Sequence, residues 1–397
     1  MIKRIIAQSA LMLMVCLANA QIIISLDSVE MLALHQHPRM QLAQQNIEDQ
    51  RALKKGSFNL ENPDVWLESP SSTYFTPGIS QRIASPFSYV QQSRLGNQNV
   101  LLAQKGLSMS KAEVLRQARM VYLNLQYAET KVKQLAYQDS LFNNLYSAAL
   151  RRYNAGDAGL LEKVTAETEY KEIHNSLLQA QSDFQNAQIQ VQLITGMDTN
   201  IILSLEDFQK NDARGYYRNI SDSTSKADNP LLQYYLQNIQ VNKQSLRLEK
   251  SKVFPGISLG YLNQGAKNSE VIYRFQVGLS VPIWFWTYHA QIKSAELKYQ
   301  MARTQYSLAS LELNSEYQQA LTDFNKYSAS LGYYESTALA LAESIINTAT
   351  KSFGAGQISY IVFTQSLNQA FEIKQNYYEA LKNYNQSIIQ LNYLNGL

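Results

Sequence analysis

Apolar residues in the last third of the chain recur at steps of three and four. One run is Ala320, Phe324, Tyr327, Leu331, Tyr334, Ala338, Leu341 and Ile345; a second is Ile373, Tyr377, Ala380, Tyr384, Leu391 and Leu394, with Ser387 its one polar break. That spacing lays an apolar stripe along one side of a helix. Between the runs stands Phe353-Gly354-Ala355-Gly356. Glycine reaches positive φ without steric cost, so the pattern predicts a helical hairpin with its tip at about 353–357.

The same hairpin is written earlier. Tyr153-Asn154-Ala155-Gly156 lies 200 positions before the second tip (353 − 153), giving a first tip at about 153–157. After it, Ile173, Leu177, Ala180, Phe184, Val191 and Ile194 match the second run at that offset, as Gly196 matches Gly396. Before it, Val121, Leu125, Val132 and Leu135 match Ala320, Phe324, Leu331 and Tyr334 at an offset of 199 (320 − 121), which predicts a one-residue insertion near the tip. The chain is a tandem duplication. Its first repeat is expected at 21–196 and its second at 229–397, joined by a polar, irregular segment at 197–228.

Each repeat opens with a shorter helix. Leu26-Asp27-Ser28-Val29-Glu30 begins one at about 26–55, broken at His37-Pro38, and Asn229-Pro230 begins its counterpart at 230–252. Pro38 and Pro230, like Pro63 and Pro255, are 192 apart (230 − 38 and 255 − 63). Strands follow. Phe275, Val277, Leu279, Val281 and Ile283 alternate with polar or small residues, as do Ile257, Leu259 and Tyr261. This period of two predicts strands at about 256–262 and 272–283. The first-repeat pair, about 64–69 and 75–85, alternates poorly and rests on the repeat. No proline lies between Pro86 and Pro230 or after Pro282. A helix from about Arg94 to Tyr153 would be roughly 90 Å long at ~1.5 Å per residue, so it must pack lengthwise against others. The fold class is mainly α with a small β part. Four strands cannot close a barrel; three chains would supply twelve.

Composition narrows the function. Lys3 and Arg4, an apolar run to Leu17 and Ala18-Asn19-Ala20 read as a secretory signal at 1–20. The only cysteine, Cys16, lies inside it. Removing that segment removes thiol chemistry and every cysteine-ligated metal site. The formal net charge of +3 includes Lys3 and Arg4 and makes no case for nucleic acid. His35, His37, His174 and His289 are scattered and lack zinc spacing. Neither a G-x-x-x-x-G-K phosphate loop nor a G-x-S-x-G elbow occurs. The expectation is a protein that is not an enzyme and carries no cofactor and no metal.

The order helix, strand, strand, long helix, glycine tip, long helix, written twice, resembles the TolC-like outer membrane efflux proteins over the whole mature chain. The residues that carry it are Leu26–Glu30 with His37-Pro38, then Asn229-Pro230, Val277–Ile283, and the tips Arg152–Gly156 and Phe353–Gly356. The short passage after Pro282 resembles the heavy-metal, CusC- or CzcC-like branch. The resemblance implies a homotrimer in the outer membrane lipid of a Gram-negative bacterium. Its strands would form one twelve-stranded barrel and its hairpins an α-helical tunnel through the periplasm. Partners would be a periplasmic adaptor and an inner-membrane pump of a tripartite, RND-type system exporting small molecules or metal ions. The alternative is a coiled-coil adaptor or scaffold with no pore, in which the strands form a soluble β-domain.

Site residues follow from the same resemblance. Arg152, Tyr153, Gly156, Asp157, Phe353 and Gly356 stand at the tips, where adaptor and pump would dock. The protein that names the family narrows its entrance with aspartates after the second tip; the matching positions here are Val362 and Gln365, beside Tyr360. The first-repeat counterpart of Val362 is Glu162 (362 − 200), the candidate for any acidic constriction, or else a surface charge paired with Lys163 or Arg152. Trp284, Phe285, Trp286 and Tyr288 follow the last strand as an aromatic girdle at a membrane–water interface, or as packing where strand meets helix.

Overall fold

A computed structural model of the chain describes residues 25–71, 74–197, 208–211, 228–263 and 273–396. The expected signal at 1–20 and most of the 197–228 segment lie outside the described residues. In chain order the elements are α1 (Leu26–Gln36), α2 (Pro38–Lys55), β1 (Asp64–Ser71), β2 (Tyr74–Ile83), α3 (Pro86–Ala155), α4 (Leu160–Thr195), α5 (Pro230–Ser251), β3 (Gly256–Asn263), β4 (Tyr273–Ser280), α6 (Phe285–Tyr333), a π-helical turn (Tyr334–Ala338), α7 (Leu339–Gly354) and α8 (Tyr360–Leu394). The class is the expected one: mainly helical, with one four-stranded sheet.

Local chemistry sets the boundaries. Ser25 accepts the Ser28 amide at 3.2 Å and caps α1, and His37 in extended geometry ends it before Pro38 opens α2. Asn229 Oδ1 accepts the amides of Leu231 and Leu232 to cap α5, with Pro230 at the first helical position, where its missing N–H costs nothing. Pro86 opens α3 in the same way, eight residues before the expected start. Both tips close with one hydrogen-bond pattern: Asp157 N–H to Arg152 O and Gly156 N–H to Tyr153 O, then Gln357 N–H to Ser352 O and Gly356 N–H to Phe353 O. This double bond at a helix C-terminus needs a left-handed residue. Gly156 and Gly356 supply it at φ 83° and 71°.

The chain divides into two compact units. One holds α2, the sheet, α5 and the early parts of α3 and α6. Its sheet is wholly antiparallel in the order β1-β2-β3-β4, so β2 of the first repeat pairs with β3 of the second. The other unit holds α1, the rest of α3, α4, the described piece of the linker, and the chain from Ser315 onward. Its core is aromatic and aliphatic: Phe142, fully buried, packs with Phe363, Leu367, Phe371 and Ala349.

The duplication can be followed through buried positions. β1 and β3 start 192 apart (256 − 64), β2 and β4 199 apart (273 − 74). The difference of seven is the longer β3–β4 connection: 264–272 against 72–73. Buried Val114, Ala118 and Leu125 then match buried Leu313, Tyr317 and Phe324 at 199, whereas Ala149, Ala180 and Val191 match Ala349, Ala380 and Leu391 at 200. The expected insertion is therefore not at the tip. The offset changes across the π turn Tyr334–Ala338, since fully buried Phe142 already matches Ala342 at 200.

Candidate functional site

The sheet is the first feature. Its register puts Val65, Ile79, Tyr261 and Phe275 in one row, and Ile83, Ile257 and Leu279 in another, all on the same face. That face is apolar and uncovered: Phe275 is 79% exposed, Val277 75% and Leu279 71%. Val281 and Ile283, beyond the last ladder pair, are also exposed. The opposite face carries Asp64, Glu68, Ser80, Arg82, Ser258, Arg274 and Gln276 with Gly78, Gly260 and Gly278. Trp66 is the one large ring among the described side chains of that face. It lies flat on Gly78, where a Cβ would stand 2.5 Å from the indole. In water an antiparallel sheet turns its apolar face inward and its polar face out. Among the described residues nothing covers the apolar face, which is the sidedness of a strand set with lipid outside and water inside.

The aromatics that follow β4 lie around the start of α6. Trp284, Phe285 and Trp286 are exposed and touch one another at 5.1 and 5.5 Å. Tyr288 is half-buried and, with Trp284, Ser85 and Lys252, lines a groove of about 510 Å³. More rings join them than the sequence suggested. Phe58 after α2 meets Tyr89 at 5.1 Å, and Phe87 at the start of α3 meets Phe254 after α5 at 5.2 Å. Every passage between helix and strand thus brings an exposed ring to the same end of the sheet. Sequence reading found only the contiguous cluster, because Phe58, Phe87 and Phe254 are far apart in the chain. The signal available was one aromatic at each junction.

The hairpin tips are the second feature. Arg152 Nη1 and Glu162 Oε1 are 2.6 Å apart, with the Glu162 side chain 19% exposed. Lys163 stands over the Tyr153 ring instead of on Glu162. The Glu162 carboxylate is thus held by its own hairpin. Val362 and Gln365 are exposed on α8. Tyr360 is not: at 4% exposure it packs on Ala149 and Ala166, under Phe353. Its hydroxyl makes no hydrogen bond. Burial, then the charges of Glu169 and Glu162, push it up to about 12. The Tyr360 ring is thus enclosed by its own hairpin, unlike the exposed Val362 and Gln365. Phe353, half-buried, stacks on Phe363 at 4.5 Å and is part of the hairpin's own packing. Gly156 and Gly356 face open space. Sequence reading missed the apolar surface beside the first tip, where Leu160, Leu161 and Val164 are exposed at the start of α4. Three apolar residues within five, just after a helix cap, was the signal.

Elsewhere, His174 Nδ1 meets Asp139 Oδ1 at 2.9 Å. Among the described residues no three of His, Cys, Asp and Glu gather as a metal site, and no helix is long and apolar enough to cross a membrane.

Residues 223–397 match the family model of the outer membrane efflux protein. No curated protein matches the sequence. The fold is that of solved outer-membrane channels. The Campylobacter jejuni CmeC outer membrane channel superposes with a TM-score of 0.79 at 15% identity, over 94% of this chain and 85% of that one. CusC, described for its transmembrane channel formation, gives 0.77 at 14%, over 93% and 91%. The outer membrane protein VceC of Vibrio cholerae gives 0.76 at 13%, over 94% and 96%.

Proposed function

We propose, from the match of residues 223–397 to the outer membrane efflux protein family model, that this chain is one protomer of a trimeric outer-membrane duct. It is the exit of a tripartite export system that carries small molecules or metal ions across the periplasm and outer membrane. Residues 21–196 and 229–397 are its two repeats, and 197–228 the segment between them. The duct does no chemistry on its cargo, and the pump selects what enters.

The sided sheet carries this reading. β1 and β4 each have one neighbour in the sheet, so each leaves an edge whose backbone groups need partners. In lipid an open edge is untenable, because every unpaired N–H and C=O there costs several kcal/mol. Pairing β4 of one copy with β1 of the next satisfies both edges, and three copies close twelve strands. The four strands are eight to ten residues long, close to the length of a tilted spanning strand. The exposed aromatic rings then sit at the headgroup level.

The tips meet the adaptor and pump through Arg152, Tyr153, Gly156, Asp157 and Gly356, with Leu160 and Leu161 supplying apolar area. Val362, Gln365 and the Arg152–Glu162 pair are the residues near the entrance. The scaffold alternative requires the apolar sheet face to be buried inside a soluble β-domain, and the exposure of Phe275, Val277 and Leu279 speaks against it.

The test is to express the full-length chain, separate inner from outer membranes, and size the detergent-extracted particle by light scattering. A particle of about three chain masses in the outer membrane fraction, conducting ions across a planar bilayer, is expected. A soluble periplasmic monomer or dimer overturns the reading.

A further inference from the structure

The π turn Tyr334–Ala338 is where the two repeats differ by one residue, and the described piece of the linker lands on it. Lys210 Nζ meets Glu335 Oε2, inside the turn, at 2.7 Å, and Lys210 also lies over the Tyr384 ring. Asn385 on α8 binds the linker backbone twice: its Oδ1 accepts the Asn211 amide at 2.9 Å, and its Nδ2 donates to Gln209 O at 2.8 Å. Asn385 is 1% exposed. Phe208 sets its ring between Tyr378 of α8 and Tyr127 of α3. Four consecutive residues therefore engage both repeats.

An extra residue in an α-helix turns everything after it by about 100°. Here that rotation does not happen. Tyr317, Phe324 and Leu331 before the turn, Ala338 at its end, and Ala342 and Ala349 after it are all buried. The turn absorbs the residue: Leu339 N–H reaches back five positions to Tyr334 O. A single π turn inside an α-helix weakens the local ladder and is retained mostly at functional sites. The first repeat runs through the matching region, Leu135–Asp139, as unbroken α-helix.

We infer that the one-residue insertion at Tyr334–Ala338 is a seat for the inter-repeat linker, and that Phe208–Asn211 is the clip that fastens the linker across α3, the π turn and α8. The widened turn carries Glu335 out to Lys210, while Asn385 fixes the backbone on either side of that lysine. The inference does not depend on the protein being a channel.

The experiment uses the full-length protein in detergent. Deleting Ser336, an exposed residue of the turn, removes the insertion and leaves continuous α-helix in register. We expect wild-type helix content by circular dichroism, a melting transition like the wild type's, and faster hydrogen exchange at the Asn211 amide, by roughly tenfold, as the clip opens. Deleting exposed Asp323 from α6, the control, rotates Phe324 and Leu331 out of the core and prevents folding. The Glu335→Lys variant sets two lysines together and speeds Asn211 exchange up to about tenfold; pairing it with Lys210→Glu restores protection. The inference is overturned if the Ser336 deletion fails to fold as the control does, or if the control folds equally well. It is also overturned if Asn211 exchange is unchanged in the folded Ser336 deletion, or if the charge swap gives no rescue. Conductance enters none of these readouts, so failure here is distinct from failure of the duct.

Discussion

Replacing Leu279 by lysine separates a membrane sheet from a soluble one by the sign of the effect. Leu279 is the middle of five alternating apolar positions, Phe275 to Ile283, and pairs with Ile257 across the sheet. It is 71% exposed. In water, lysine there would be neutral or would improve solubility, because an exposed leucine contributes nothing to a core. In lipid, a lysine on the outer face near the bilayer midplane costs about 2–4 kcal/mol, falling to about 0–1 near the interfaces. Three copies in one barrel make that roughly 6–12 kcal/mol, comparable with the whole stability of an ordinary domain. The Gln276→Lys variant is the control. Gln276 lies three residues away on the polar face, opposite Gly260, where a barrel has water. The assay is insertion into liposomes from urea, followed by sizing of the trimer. Leu279→Lys should fail to insert or should shift the midpoint far down, and Gln276→Lys should behave as wild type. Wild-type insertion by Leu279→Lys, or equal damage from both, would falsify the sidedness argument and return the sheet to a soluble domain.

Other variants test single contacts. A Gly78→Ala methyl would press into the Trp66 ring from 2.5 Å, so we expect a loss of about 1–3 kcal/mol in thermal melts, partly recovered when Trp66→Ala is added; no recovery would mean the strain lies elsewhere. Tyr360→Phe removes a buried hydroxyl without a partner and should leave stability equal or up to about 1–3 kcal/mol higher. The same variant has a pH signature. Because the folded protein holds the Tyr360 proton to about pH 12 and the unfolded chain releases it near 10, its contribution is complete below pH 10 and lost between 10 and 12; Tyr360→Phe should flatten that part of the alkaline melting curve. Glu162→Gln frees Arg152 from its 2.6 Å partner. If Glu162 sets ion choice, single-channel recordings should show a weaker cation preference; raised conductance with unchanged preference would assign it a structural role at the tip.

How much of this was legible in the sequence depended on whether each feature is a local pattern or a meeting of distant residues. β3 and β4 alternate cleanly because every polar-face position is polar or small apart from Leu262. β1 hides its alternation behind Trp66, a large ring on the polar face. That ring is tolerated only because Gly78 lies opposite it on β2, a cross-strand device with no local sequence signature. β2 is blurred in turn by Pro77 and Gln81 on its apolar face. The aromatic rings at the strand ends come from four separated junctions, and only the order β1-β2-β3-β4 collects them. The burial of Tyr360 is hidden from the sequence for a similar reason. The residue follows a helix cap, Ser359, and looks exposed by position, but its burial depends on Ala149 and Ala166 being small enough to admit the ring.

The duplication shows the same boundary between local and distant information. Offsets of 199 and 200 were visible, but matching residues on two sides of a gap cannot say where the extra residue sits. Any helix position between Tyr334 and the tip would satisfy the sequence equally. Burial decides it, because an α-helix has only one face to offer a core, and an unabsorbed insertion would have turned Ala342 and Ala349 away from Phe363 and Phe371. Both stay inside, so the residue must be taken up before Ala342, and the π turn is the one place in that interval where the helix ladder is irregular. A repeat protein can therefore acquire a new ion pair through a single inserted residue without disturbing the packing its first copy already had. In this chain that pair is Glu335 with Lys210.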